Sequence, residues 1–496
     1  MEAVELYKLV GVVVYLAVLL AIGVVASRKM NDVGDYFAAG KKLGFWSVAF
    51  SARATGESGW LLIGLTGMGA LVGVKAFWVV AGEVLGVGLA WLLLAGPFNK
   101  LTHKYDSLTI PDYLESRFGD KSNLIRLVSA FCLATFVTIY VAAQIYATGQ
   151  AFQDFLGWSW YTGVAVGFTV VVAYSTTGGF VAVVWSDVFQ GALMFLALVA
   201  LPIVGFIYAG GIEPVMTGLS AIDPTLLDPM AGEGFTLVSI AGCLGLLLIG
   251  LGFLGSPQIF VRFLALKSHK EVPKGAAVAL AWTLLADSGA VFTGLVGRHL
   301  LTQPGQDAEM LLGVGAEQVL PQVVAMVLPA ILIGLMIAIV LSAIMSTVDS
   351  LLVLASSAVV RDVYQKVLRP DIPDDKLVGL SRIATIALAF VALGIALAVT
   401  GPNQTVFWFV IFGWSGIAAT FCPTVILSLF WPRFNTGGAV AAMLTGFVSV
   451  PLFKFIDMGE AMTALGELPP SFLLSAAVGM AVSFVAGPSA QVARGD

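Results

Sequence analysis

About 13 stretches of roughly 20 apolar residues follow one another through this chain, each long enough for a helix to cross the ~30 Å hydrocarbon core of a bilayer. Inside lipid only helices or closed barrels satisfy every backbone N–H and C=O, and runs this long are not the alternating strands of about ten residues that build a barrel. The predicted fold class is therefore an all-α polytopic membrane bundle. Composition agrees: 59% of residues are hydrophobic and 11% charged, against about 45–50% and 25% in soluble domains. Cys132, Cys243 and Cys422 lie in apolar runs without paired spacing, which argues against a disulfide framework or a zinc site. His103, His269 and His299 are scattered near loops with no metal or nucleophile motif, so enzyme chemistry is not expected.

The net charge of -5 says little until topology divides it between two sides of a membrane. Residues 28–42, 100–126, 262–274 and 361–382, with Arg433 and Arg494, hold twenty of the 25 lysines and arginines. All fall on one side if the spans number 13. The loop near residues 210–234 lies opposite, with Glu213, Asp223, Asp228 and Glu233 and no basic residue. The positive-inside rule then puts the N-terminus outside and the C-terminus in the cytoplasm of a plasma or inner membrane. We expect one transmembrane domain over 1–496: an extra N-terminal helix at 7–27, a first repeat at 45–209, a second at 235–430 and two further helices at 436–487. Each repeat holds five spans, and an odd number inverts the second relative to the first.

The first helix of each half is interrupted at matching depth. One carries Ser51, Arg53, Thr55, Gly56, Glu57, Ser58 and Gly59, the other Gly250, Gly252, Gly255, Ser256 and Pro257. Such residues at mid-membrane suit unwound backbone lining a cavity. The glycine spacing of the second segment formally matches a dinucleotide fingerprint, but no βαβ context surrounds it. Charges within spans are few: Arg53, Glu57, Glu83, Asp187, Asp287 and Asp349. Each costs on the order of 3 kcal/mol at a helix centre, so each is read as a site or an internal ion pair. Arg53 and Glu57 stand four residues apart and Glu83 is on the next helix, giving a charge cluster with two readings. It either fixes helix packing or carries a carboxylate whose charge follows transport. A second polar cluster, from Ser342 through Ser346 and Thr347 to Ser350, offers the hydroxyl ligands a sodium ion favours.

Four motifs then bear on family: Ser58-Gly59-Trp60-Leu61-Leu62, Leu108-Thr109-Ile110-Pro111-Asp112-Tyr113, Gly178-Gly179-Phe180 continuing to Trp185-Ser186-Asp187, and Met345-Ser346-Thr347. Together, over residues 10–485, the chain resembles the sodium/solute symporters, specifically bacterial sodium/proline symporters. The resemblance implies a leucine-transporter-type inverted five-helix repeat working by alternating access. It implies a sodium site from the carbonyls of Ala54, Glu57 and Ala343 and the hydroxyls of Ser346 and Thr347, with Asp187 nearby. It also implies a solute pocket lined by Ser58, Gly59, Trp60, Tyr140, Phe253 and Pro257. Departures from the proline pattern are Gly56 in place of an aspartate, Glu57 in place of an apolar residue, Arg53 in place of a small one, and Ile249 and Phe253 in place of Trp and Tyr.

The expected function is sodium-coupled import of a small solute, proline or a related amino acid. Alternatives are coupling to H+ instead of Na+, another solute such as a small carboxylate, or a solute sensor that keeps the transporter fold. Expected partners are the solute and membrane lipid, with no nucleic acid and no obligate protein partner.

Overall fold

The computed structural model describes residues 2–27, 33–176, 179–373, 375–401 and 403–486. Arg28, Lys29, Gly178 and Arg494, which enter the charge asymmetry and one motif, lie outside them. Among the described residues the fold is all helical apart from an isolated bridge between Leu43 and Leu266. The main helices are α1 (Glu2–Ser27), α2 (Phe45–Gly59), α3 (Phe77–Leu89), α4 (Ile110–Phe118), α5 (Leu124–Leu156), α6 (Trp160–Ser175), α7 (Phe180–Tyr208) and α8 (Leu237–Leu247). They continue with α9 (Pro257–Ala265), α10 (Val272–Leu301), α11 (Ala330–Ser357), α12 (Asp375–Val399), α13 (Val406–Phe430), α14 (Thr436–Phe455) and α15 (Leu468–Ala486).

Among the described residues eleven helical stretches are long and apolar enough to cross a membrane, so the chain is a multi-pass membrane protein. One of them, Phe45–Lys104, is 60 residues long. A straight helix of that length would reach about 90 Å, three bilayer cores, so it has to turn. It turns at Gly73, whose φ of 65° and ψ of -138° leave the helical region. A Cβ there would lie 2.0 Å from the Leu226 carbonyl oxygen. Helices start on side-chain caps where the chain re-enters the bundle: Thr109, Ser159, Thr236, Thr405 and Asn435 each accept from the N–H three residues on. The first turn of α2 takes its cap from elsewhere, Phe45 N–H donating to the Glu271 carboxylate at 2.8 Å.

Helices α2 and α11 form the buried centre, packed on each other and on α7, α10 and α5. The rim is apolar and exposed, with Val13 and Val14 on α1, Ile383, Phe390 and Val391 on α12, and Leu473 and Phe484 on α15. Lipid is the solvent such a surface requires. All three cysteines are free and buried. Between α8 and α9 the backbone tightens to a 3-10 turn over Leu248–Leu254, and α3 rests directly on it. A Cβ on Gly82 would lie 2.0 Å from the Leu247 carbonyl oxygen, and one on Gly86 2.1 Å from that of Gly250. Glycines four apart give the close helix approach that van der Waals packing in lipid favours.

Candidate functional site

The centre of the site is the break in α2. Ser58 has φ 42° and ψ -166°, a region almost reserved for glycine, in which a side chain costs about 1–3 kcal/mol unless its surroundings hold it there. Gln144 of α5 does so with both ends of its amide. Its Oε1 accepts from Gly59 N–H at 3.2 Å and its Nε2 donates to Ser58 Oγ at 3.2 Å. Tyr140, one turn earlier on α5, directs its hydroxyl to Ser58 as well. Beyond the break a π-helical turn, Trp60–Leu65, carries the chain on, and the Trp60 indole N–H reaches back to the Gly56 carbonyl at 3.1 Å.

The second break follows the 3-10 turn. Gly255 packs where a Cβ would be 2.7 Å from Cys422 Cα, and Pro257 opens α9 at a position where its missing N–H is no loss. Phe253 leans from this segment onto Trp414, centroids 4.9 Å apart, and toward Gly56, where a Cβ would meet its ring at 3.2 Å. Ser58, Gly59, Trp60 and Tyr140 thus gather at the first break, with Phe253 against the adjoining turn. All six residues expected to line a solute pocket are buried.

One turn before the first break, α2 meets α11. Ser346 Oγ donates to the Ala54 carbonyl at 2.9 Å, and Thr347 Oγ1 to the Thr55 carbonyl at 3.0 Å. Both hydroxyls also face the Ala343 carbonyl, at 3.0 and 3.3 Å. Four of the five expected sodium ligands therefore converge. The fifth, the Glu57 carbonyl, accepts from Trp60 N–H, and the Thr55 carbonyl stands at the cluster where sequence reasoning had not placed it. Below it, Asp187 accepts from Ser51 Oγ at 2.6 Å and Thr55 Oγ1 at 3.3 Å. It pairs with Arg262 Nη2 at 2.9 Å. Arg262 also donates to Ser51 Oγ and Thr55 Oγ1, at 3.0 and 2.7 Å, and to Ser350.

Behind the pocket, Arg53 pairs with Glu57 and, at 3.4 Å, with Glu83. Its guanidinium lies over the rings of Phe253 and Trp282, 4.9 and 5.5 Å from their centroids. The three charges expected to cluster do so, and Asp287 of α10 joins them.

At one end of the bundle, helix α4 ties three others together. Asp112 pairs with Arg126 of α5 at 2.7 Å and with Arg361 beyond α11 at 3.2 Å. Arg126 also reaches Asp362 at 2.6 Å, Thr109 Oγ1 donates to the same carboxylate at 3.0 Å, and Tyr113 bonds Ser428 of α13. Burial works against the charge of Asp112, but Arg361 and Arg126 outweigh it and hold the carboxyl below the usual range.

A bundle broken at two places in its centre, with buried polar groups gathered beside the breaks, is the architecture of a membrane transporter for a small solute. The chain belongs to the sodium:solute symporter family, whose profile matches residues 36–446. It is 36% identical to the high-affinity proline transporter of Bacillus subtilis over 92% of this chain and 93% of that one. It is 31% identical to the sodium/proline symporter of Escherichia coli over 99% and 96%. In fold it matches a Na+-coupled sialic acid symporter in its substrate-bound outward-open state, with a TM-score of 0.80 at 18% identity over 98% of this chain and 99% of that one.

Proposed function

We propose that this protein couples sodium to the import of proline or a closely related amino acid by alternating access. One observation carries the reading: the hydroxyls of Ser346 and Thr347 face the carbonyls of Ala54 and Thr55 across two buried central helices, one turn before the break. These are hard, neutral oxygens, the donor set a sodium ion takes. Sodium travels here as co-substrate, held by these groups and the Ala343 carbonyl, with the Glu57 carbonyl in reach of the same turn and Asp187 nearby. The solute lies against Ser58, Gly59, Trp60, Tyr140, Phe253 and Pro257. Ion and solute share the broken segment of α2, so each raises affinity for the other by the same factor.

In this reading the eleven long stretches, with Phe45–Lys104 crossing twice and Trp160–Ser175 once, make thirteen spans. The N-terminus is outside, the C-terminus is cytoplasmic, and residues 45–209 and 235–430 form an inverted five-helix repeat. Similarity to proline transporters supports the solute. Gly56 and Phe253, which depart from the proline pattern, favour a second reading in which the solute is another amino acid or a small carboxylate.

The test is uptake of radiolabelled proline into proteoliposomes with and without an inward sodium gradient. Sodium-stimulated uptake that is lost in a Ser346→Ala/Thr347→Ala protein supports the proposal. Uptake indifferent to sodium overturns the coupling, and the absence of proline uptake overturns the solute.

A further inference from the structure

We propose that Glu57, Glu83 and Asp287 form a second cation site, separate from the Ser346 and Thr347 cluster, and that its cation is a proton. The three acids come from three helices, α2, α3 and α10, and each offers a carboxylate oxygen within 4.8 Å of the others. None is more than 1% exposed. One guanidinium, Arg53, stands against all three, paired to Glu57 and Glu83. Asp287 is fully buried and neither of its oxygens has a hydrogen-bond partner.

Among the described residues no further protein charge is at hand to balance the site. The remaining acids of the neighbouring helices, Asp187 on α7 and Asp349 on α11, face Arg262. The Thr66–Val72 and Val319–Val327 helices beside α10 hold no ionisable residue. Lys274, Arg298 and His299 stand toward the two ends of α10. Three ionised carboxylates facing one arginine would leave two negative charges uncompensated in a dry interior, so the site has to bind positive charge.

The proton is favoured over a metal ion because Arg53 already occupies the cationic position beside Glu57 and Glu83. A metal ion would stay a discrete charge against that guanidinium, whereas a proton bonds to a carboxylate oxygen, makes that group neutral with almost no added volume, supplies the missing donor and lowers the uncompensated charge from two to one. Loading the site also reaches the solute. Arg53 lies against the Phe253 ring, and Gly56 approaches the Cε1 and Cζ atoms of the same ring. A change in Arg53 pairing therefore shifts a wall of the pocket.

The experiment is infrared difference spectroscopy on the purified full-length protein in lipid, titrated with acid and base in H2O and D2O. It needs no transport, so its outcome is independent of the proline reading above. The expected result is a carboxylic-acid carbonyl band at neutral pH that shifts in D2O, disappears on alkalinisation, and is lost or moved in both Asp287→Asn and Glu83→Gln. Absence of such a band in the unmodified protein overturns the proposal whether or not the variants fold. A band unchanged in both variants overturns it as well. Sodium binding, read in parallel with 22Na+, separates the cations: loss of one bound sodium in Asp287→Asn without any infrared band assigns the site to sodium and refutes the proton.

Discussion

Gln144 holds the break in α2 open with two hydrogen bonds, to Gly59 N–H and to Ser58 Oγ, both 3.2 Å long. Gln144→Met keeps the length and volume of the side chain and removes both bonds, so packing is nearly conserved while the Gly59 amide loses its acceptor. A buried, unpaired N–H costs about 1–3 kcal/mol. That cost falls on the broken conformation of Ser58, Gly59 and Trp60, the proposed solute contacts, and much less on a conformation in which the segment relaxes toward helix. At about 1.4 kcal/mol per tenfold, a loss of about 2 kcal/mol weakens solute binding about 30-fold. The assay is equilibrium binding of radiolabelled proline to purified protein at saturating sodium, with the thermal unfolding midpoint as a control for folding. Binding within about twofold of the unmodified protein, at an unchanged midpoint, would refute the idea that Gln144 maintains the break.

Three other outcomes are expected. Arg262→Met strands Asp187 in the interior and lowers stability by about 3–5 kcal/mol, read as a fall in the unfolding midpoint; adding Asp187→Leu recovers most of that stability but not uptake. Asp112 has its folded pKa below its unfolded one, so its ion pairs stabilise the protein above the unfolded value and that gain is lost as pH falls through the folded one. Asp112→Asn is therefore less stable than the unmodified protein at pH 7, and the gap between their midpoints closes below about pH 4. Gly56→Asp drives a side chain into Phe253, an overpacking of about 1–3 kcal/mol that lowers uptake about tenfold; Phe253→Ala in the same protein restores part of it.

Hydropathy made the long apolar helices of a multi-pass membrane protein legible, because lipid imposes one rule on every helix. The breaks could be read from Ser58 and Gly59 and from Gly255 to Pro257, since no intact mid-membrane helix favours those residues. Arg262 was legible only as one more basic residue beside a loop. Its sequence position matches the end of a span, and nothing local indicates that the short helix α9 turns it inward onto Asp187. Gln144 was missed for a related reason. A neutral amide in a 33-residue helix is unremarkable until its two ends are found on Gly59 N–H and Ser58 Oγ. Asp287 stood out as a charge in a span, but its meeting with Glu57 and Glu83 depends on how α10 rotates against α2 and α3, which no single stretch encodes. Thr55 was obscured by its neighbours: moving one residue along a carbonyl ladder changes a ligand without changing the pattern of residue types.

Gly82 and Gly86 bring the backbone of α3 onto that of Leu247 and Gly250 with no side chain between them. Two surfaces joined in this way share one register, because a slip of a single residue would drive a valine or a leucine into a carbonyl. The α3 helix and the second broken segment are thus geared together and travel as one part through the cycle. A covalent tether between them should leave transport running, whereas the same tether between α2 and α11, which meet through hydroxyls that exchange partners, should arrest it.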